Sequence, residues 1–293
     1  MEKIKITATD GLSLSCLYSK AENPRAICQI MHGMVEHKER YIELIEALNK
    51  SGITVIISDM RGHGESINEE YFLGHLGGES DLLVSDQYEV TKWLKKHNPN
   101  LPMYVFSHSM GTLVSRAYIE KHDDEIERLI MCGTVGYQAG TWLGVFLAKC
   151  KSLGKGAKKY SKLLWAMSNG ASFDPSLDWL SYSKKNIENF ENDPLCGFRF
   201  TNASNKVLFT LANNLHKRKR YQCKNPTLRI YSISGEDDRT TGGEKGLKDT
   251  MKSLLMAGYI DMKYKTYPKM KHEILMEDDH KEVIEDILKF YQE

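Results

Sequence analysis

The sequence predicts an α/β protein with a mostly parallel, eight-stranded sheet, helices on both faces and a helical segment inserted late in the chain. Three observations carry this expectation. Short, continuous apolar runs recur with helix-length segments between them, the pattern of strands buried on both faces and joined by helical crossovers. The first two strand-like runs instead alternate apolar and polar residues. Between residues 136 and 225 the strand signal stops, and it returns only for two last strands.

Taken in order, residues 3–7 and 12–18 alternate and are joined by Asp10-Gly11, which reads as a hairpin with one wet face. Runs at 26–31, 54–58, 103–106 and 129–132 are short and apolar, with helix-length segments near 38–50, 79–97 and 110–122. Such alternation predicts right-handed β-α-β units. After the interruption come a strand at 228–233, a helix near 244–257, a strand at 262–267 and a helix near 280–291. The simplest division is a body made of 1–135 and 226–293, with 136–225 as an inserted helical cap. Charge divides along nearly the same line. Residues 134–225 hold 15 Lys or Arg against 5 Asp or Glu, and the remainder 25 against 34. The net charge of +1 therefore conceals a basic insertion on an acidic body.

Composition narrows the function classes. A near-neutral chain with 41 % hydrophobic and 27 % charged residues reads as a soluble globular protein and not as a nucleic-acid binder. No apolar run approaches the roughly 20 residues of a membrane-spanning helix, and the N-terminus lacks a secretory h-region, so a cytoplasmic location is expected. The six cysteines (16, 28, 132, 150, 196 and 223) contain no CxxC pair and read as reduced thiols.

The strand at 103–106 runs directly into Ser107-His108-Ser109-Met110-Gly111 and a helical stretch. A serine on a tight strand-to-helix turn is a nucleophile elbow: the turn lifts the hydroxyl above the sheet edge and aims helix N–H groups at it. The common form is Gly-x-Ser-x-Gly; here the first glycine is Ser107, still small. A serine needs a base and an orienting acid, in the chain order Ser, Asp or Glu, His. The strand at 228–233 leads into Ser234-Gly235-Glu236-Asp237-Asp238, and that at 262–267 into Pro268-Lys269-Met270-Lys271-His272. Ser109 and His272 are therefore the candidate nucleophile and base. Spacing leaves Asp237 and Asp238 both open as the acid. The oxyanion donors expected are the N–H of Met110 and that of Met34, in the loop His32-Gly33-Met34 after the strand at 26–31.

These residues resemble the α/β-hydrolase fold, and within it the monoacylglycerol lipase and lysophospholipase group. The resemblance covers nearly the whole chain. It rests on HGMVEHKERY at 32–41, SDMRGHGES at 58–66, FSHSMG at 106–111, GEDD at 235–238 and KHEILME at 271–277, with FDPSLDWLS at 173–181 and NDPLCGFRFT at 192–201 in the insertion. It implies a serine carboxylic-ester hydrolase working through Ser109, His272 and Asp238, the last chosen by its place three residues after the loop glycine. It implies no metal or organic cofactor. It also implies a small lipid-ester substrate, monoacylglycerol first and lysophospholipid second; a general short- or medium-chain carboxylesterase, and more distantly a thioesterase, an aminopeptidase or a non-catalytic lipid-binding protein on the same fold, stay open as alternatives.

Other signals are set aside or kept as expectations. His32 and His37 lack HExxH spacing, and His272-Glu273 is followed by Met276 where a second ligand would stand, so no metal is expected at either place. Arg61-Gly62-His63-Gly64 lacks phosphate-loop features and reads as a structural loop near the site mouth. His108 is assigned no proton transfer. In the insertion, the apolar stretch holding Trp142, Phe146 and Leu147 is expected to pack on the body and to line an acyl channel. Lysines at 149, 151, 155, 158, 159 and 162 and the basic run at 216–220 suggest peripheral contact with anionic lipid surfaces. No aromatic residues interleave the basic run, which argues against nucleic acid.

Overall fold

The computed structural model describes residues 1–168 and 177–293. Eight strands form one sheet in the order β1-β2-β4-β3-β5-β6-β7-β8. β1 (Glu2–Thr7) and β2 (Ser13–Ser19) form the antiparallel hairpin, and β2 also pairs antiparallel with β4 (Ile53–Ser58). β3 (Ala26–Met31), β4, β5 (Met103–His108), β6 (Arg128–Cys132), β7 (Arg229–Gly235) and β8 (Met262–Tyr267) run parallel.

The central strands β3, β4 and β5 are buried at every residue, as expected where both sheet faces are covered. Successive residues serve opposite faces. Met103 and Val105 join a core with Leu83, Val90 and Leu94 of α2 (Ser80–His97) and Val114 and Tyr118 of α3 (Met110–His122). Tyr104 and Phe106 join a second core with Leu44, Ile45 and Leu48 of α1 (Ile42–Lys50) and Val283, Ile287 and Phe290 of α9 (Lys281–Gln292). β8 is the edge strand and is only half-buried. It carries Lys263 and Lys265, a composition that discourages edge-to-edge pairing.

Between β6 and β7 the chain leaves the sheet for α4 (Thr141–Lys151), α5 (Lys162–Ser168), α6 (Lys184–Asn192) and α7 (Asn202–Asn214), and α8 (Gly243–Ala257) follows β7. The first part of the insertion's resembling segment, residues 173–176, lies outside the described residues. The helix expected near 38–50 begins as a 3-10 turn, Lys38–Tyr41. There Lys38 is wholly buried, its backbone N–H and ammonium both donating to Asp59. Among the described residues, no helix is long and apolar enough to cross a membrane.

The strand order places the site. From β3 the chain goes to β4 on one side and, later, to β5 on the other. This is the switch point at which open α/β sheets leave a crevice beyond their strand ends. The loops after β3 and β5 diverge there, and those after β7 and β8 close the same rim.

Candidate active site

Ser109 sits at φ 50°, ψ −118° between β5 and α3, a backbone that non-glycine residues rarely adopt and that is held only where the surroundings over-determine it. Its N–H donates to the Cys132 carbonyl at 3.0 Å. Gly111 is obligatory: a Cβ there would lie 2.1 Å from the Met31 carbonyl oxygen. The position two residues before Ser109 is more tolerant. The Ser107 hydroxyl donates to the Ile130 carbonyl at 3.0 Å and accepts from Ser115 at 2.9 Å, so serine is accommodated where the family commonly has glycine.

His272 Nε2 lies 2.7 Å from Ser109 Oγ, and its Nδ1 lies 3.0 Å from Asp238 Oδ2. Asp238 is further held by the Thr240 N–H and hydroxyl, both donating to Oδ1 at 2.8 Å. The neighbouring acid points elsewhere: Asp237 Oδ2 accepts the Tyr182 hydroxyl at 2.9 Å. The structure thus separates the two carboxylates that spacing left open. Burial opposes charge on both partners. For His272 it is outweighed by the Asp238 charge and hydrogen bond, with smaller help from Glu273 and Glu36, and the imidazole pKa is raised above its ordinary value. For Asp238 the His272 and Thr240 interactions outweigh burial and hold the carboxyl below the usual range.

Met34 and Met110 both line the cavity into which Ser109 opens. Among the described residues neither N–H is taken up by a protein acceptor. The Met34 loop is pinned from several sides. The Gly33 N–H donates to Glu36, whose carboxylate also accepts the Tyr41 hydroxyl and Arg40 Nη1. Arg40 then forks onto Glu273, beside His272, at 2.6 and 2.8 Å. One largely buried cation, its side chain 11 % exposed, therefore couples the loop after β3 to the loop after β8. His108 joins this group, with Nδ1 3.2 Å from Glu36 Oε1. His63 Nε2 accepts the Val35 N–H at 3.2 Å, while its Nδ1 donates to the Arg61 carbonyl. Burial pulls its pKa down to about 3, consistent with a neutral imidazole serving as acceptor. The Arg61-to-Gly64 loop thus supports the Met34 loop from beneath. Arg40 and Glu273 fall within the resembling stretches at 32–41 and 271–277, but nothing local in either stretch pairs them across 233 positions.

The cavity measures about 420 Å³. Its walls combine Met34, Leu113, Val135, Met167, Leu208 and Phe209 with Trp179, whose ring packs 5.3 Å from that of His272. Gln138, Thr141, Arg239 and Thr240 supply polar atoms. Here the sequence expectation requires correction. Trp142 and Phe146 are 63 % and 56 % exposed, and Leu147 packs with Ala148, Leu164 and Phe209; none of the three lines the cavity. The cause is helical phase. Gly144 and Ala148 form the buried face of α4, and α4 contributes Thr141 and Gly144 to the wall. The insertion's own apolar lining comes instead from Met167 of α5, from Trp179, and from Leu208, Phe209 and Ala212 of α7.

A serine raised on a strand-to-helix elbow, joined to histidine and aspartate at the rim of a doubly covered sheet, defines an α/β-hydrolase. Residues 22–279 match the family described as serine aminopeptidase, S33, and the chain belongs to it. A monoacylglycerol lipase from Mycolicibacterium smegmatis is 24 % identical over 269 residues, 90 % of this chain and 87 % of that one. Phospholipase YtpA of Bacillus subtilis is 32 % identical over 103 residues, covering 35 % of this chain and 37 % of that protein. Among solved structures, a thermostable carboxyl esterase from Bacillus coagulans in complex with glycerol superposes with a TM-score of 0.87 at 24 % identity, covering 99 % of this chain and 97 % of that one.

Proposed function

We propose that this carboxylic-ester hydrolase cleaves monoacyl lipid esters, monoacylglycerol before lysophospholipid, through a Ser-His-Asp triad and an acyl-enzyme. The observation that carries the reading is the continuous relay from Ser109 Oγ through both nitrogens of His272 to Asp238, opening into a largely apolar cavity. Ser109 Oγ attacks the ester carbonyl while His272 Nε2 takes its proton. Asp238 fixes the tautomer and stabilises the imidazolium. The N–H groups of Met34 and Met110 hold the oxyanion, each donor contributing about 10²–10³ in rate. His272 returns the proton to the leaving alcohol, then activates the water that releases the fatty acid. Only this chain's residues and water take part in these steps.

The lipid assignment is supported by the cavity walls and by the named activity of the monoacylglycerol lipase relative. In this reading residues 136–225 are a cap over a body made of 1–135 and 226–293. The cap's outer surface presents Trp142, Leu143, Phe146, Leu153, Tyr160 and Leu163, all exposed. The lysines at 149, 151, 155, 158, 159 and 162 are exposed among them. Aromatic and leucine side chains interspersed with lysine suit an anionic lipid surface, to which each basic residue adds about 1 kcal/mol of attraction. The six free cysteines accord with a cytoplasmic enzyme reaching lipid from that side.

A turnover panel tests the reading: p-nitrophenyl acyl esters of increasing length beside monoacylglycerol, lysophospholipid and a peptide amide. Monoacylglycerol should give the highest kcat/KM, and the peptide amide none. Preferred cleavage of the amide would overturn the assignment.

A further inference from the structure

Outside the catalytic rim, three metal-ligating side chains of different kinds meet. His37 lies in the loop after β3, and Asp193 and Cys196 lie in the turn after α6. One ligand atom from each falls within 4.8 Å of the other two. His37 and Cys196 are buried, and Asp193 is half-exposed, which leaves a path from solvent. His37 Nε2 is 2.8 Å from Asp193 Oδ2, while Nδ1 is 2.7 Å from Glu39 Oε2. A carboxylate on the distal nitrogen of a histidine is the arrangement that orients the ring and raises its basicity toward a metal. Asp193 is oriented in turn by the Leu195 N–H, which donates to Oδ1 at 2.8 Å.

We propose that His37 Nε2, Asp193 Oδ2 and Cys196 Sγ form a binding site for a thiophilic divalent cation of the zinc class, with water as fourth ligand. With no metal bound, the cluster is a histidine cation between Glu39 and Asp193 with the Cys196 thiol hydrogen-bonded to the same ring, and a bound ion would take the place of the ring proton that these groups share. Cysteine with histidine and a carboxylate selects zinc over the hard cations. Tetrahedral zinc places its ligand atoms about 3.3–3.7 Å apart. The His37–Asp193 pair therefore opens by roughly 0.5 Å, and the sulfur closes in. Binding displaces one proton from His37 Nε2 and one from the Cys196 thiol. A doubly charged ion with one carboxylate and one thiolate then leaves the first shell neutral.

The location gives such an ion a lever. The Gly197 N–H, next to Cys196, donates to the Val35 carbonyl at 2.9 Å. Val35 holds a left-handed φ of 53° beside Met34. A cation at this place clamps the insertion to the loop that carries Met34. The sequence could not show the site, because 156 positions separate His37 from Asp193.

The test is equilibrium dialysis of the full chain against zinc alone, and against cobalt as a spectroscopic probe. The wild type should bind one ion per chain, show a thiolate-to-cobalt charge-transfer band, and gain thermal stability with zinc by mass action. Cys196→Ser should lose the band and the zinc-dependent stabilisation while keeping the wild-type circular dichroism spectrum. Glu39→Gln should weaken binding by about 10–100-fold. The absence of a charge-transfer band in the wild type, or zinc binding unchanged in both Cys196→Ser and Asp193→Asn, would overturn the proposal.

Discussion

The rim beyond β3, β5, β7 and β8 and the outer surface of α4 and α5 lie on two sides of the same cavity and are built on opposite terms. At the rim, charged side chains are buried and partnered: Asp238 with His272 and Thr240, Glu36 with Arg40 and Tyr41, Glu273 with Arg40 and Asn186. On the insertion, large apolar side chains stand in solvent beside exposed lysines at 149, 151, 155, 158, 159 and 162. The contrast separates two requirements. Catalytic geometry has to be held to fractions of an ångström by several elements at once. Substrate capture, in the proposed function, needs a surface that can meet lipid. Changes at the rim should act through turnover, and changes on the insertion through which substrate is turned over.

Short of removing the nucleophile itself, the largest effect expected tests the rim's specificity for one carboxylate. Asp238→Asn should lower kcat by about 10⁴-fold, as loss of the orienting acid does in other triads. Asp237→Asn should change kcat by less than about tenfold, since that carboxylate accepts the Tyr182 hydroxyl and points away from His272. The reverse ranking in steady-state turnover would break the assignment.

The next concerns pH. Asp238 raises the His272 pKa above its ordinary value. The imidazole must be neutral to accept the Ser109 proton, so kcat/KM should fall as pH drops through that raised value. Removing the Asp238 charge should move the acid limb to lower pH. Rates of labelling by a fluorophosphonate measured across pH in the wild type and in Asp238→Asn would show the shift. An acid limb unmoved by the substitution would mean another group sets it.

Much of this architecture is legible in the chain, and the unread portion has a common physical character. Continuous apolar runs locate the buried strands because both sheet faces are covered. Ser109 and His272 can be placed because each follows a strand in the order the chemistry needs. Asp238 needed the family resemblance, since periodicity does not separate adjacent aspartates in a loop. What escaped depends on tertiary meetings: Arg40 with Glu273, His63 with Val35, and the helical phase of α4. The apolar residues of α4 announce a helix, but its mixed character does not say which side faces the cavity. Trp142 and Phe146 turned out to face solvent, whereas Gly144, the residue without a side chain, touches the site.

That phase yields a prediction of intermediate size. A Cβ on Gly144 would lie 2.9 Å from the Phe209 ring. Gly144→Ala should therefore push the ring into the cavity and lower kcat/KM for long acyl esters by about tenfold relative to short ones, the scale of methylene discrimination in an apolar pocket. An unchanged chain-length profile would show that the acyl chain does not run past α4.

The smallest effect belongs to the outer surface. Trp142→Ser with Phe146→Ser should alter stability by no more than about 0.5 kcal/mol per site and leave hydrolysis of a soluble short-chain ester nearly unchanged. Turnover of monoacylglycerol presented in anionic vesicles should fall several-fold. Equal rates in the two assays would remove the lipid-surface role.

The account rests most heavily on one hydroxyl. Mass spectrometry of the fluorophosphonate-treated protein should find a single adduct, on Ser109. In Ser109→Ala no adduct should form, and ester turnover should fall by about 10⁶-fold, the loss seen when a triad nucleophile is removed. An adduct elsewhere in the wild type, or undiminished turnover in Ser109→Ala, would contradict it.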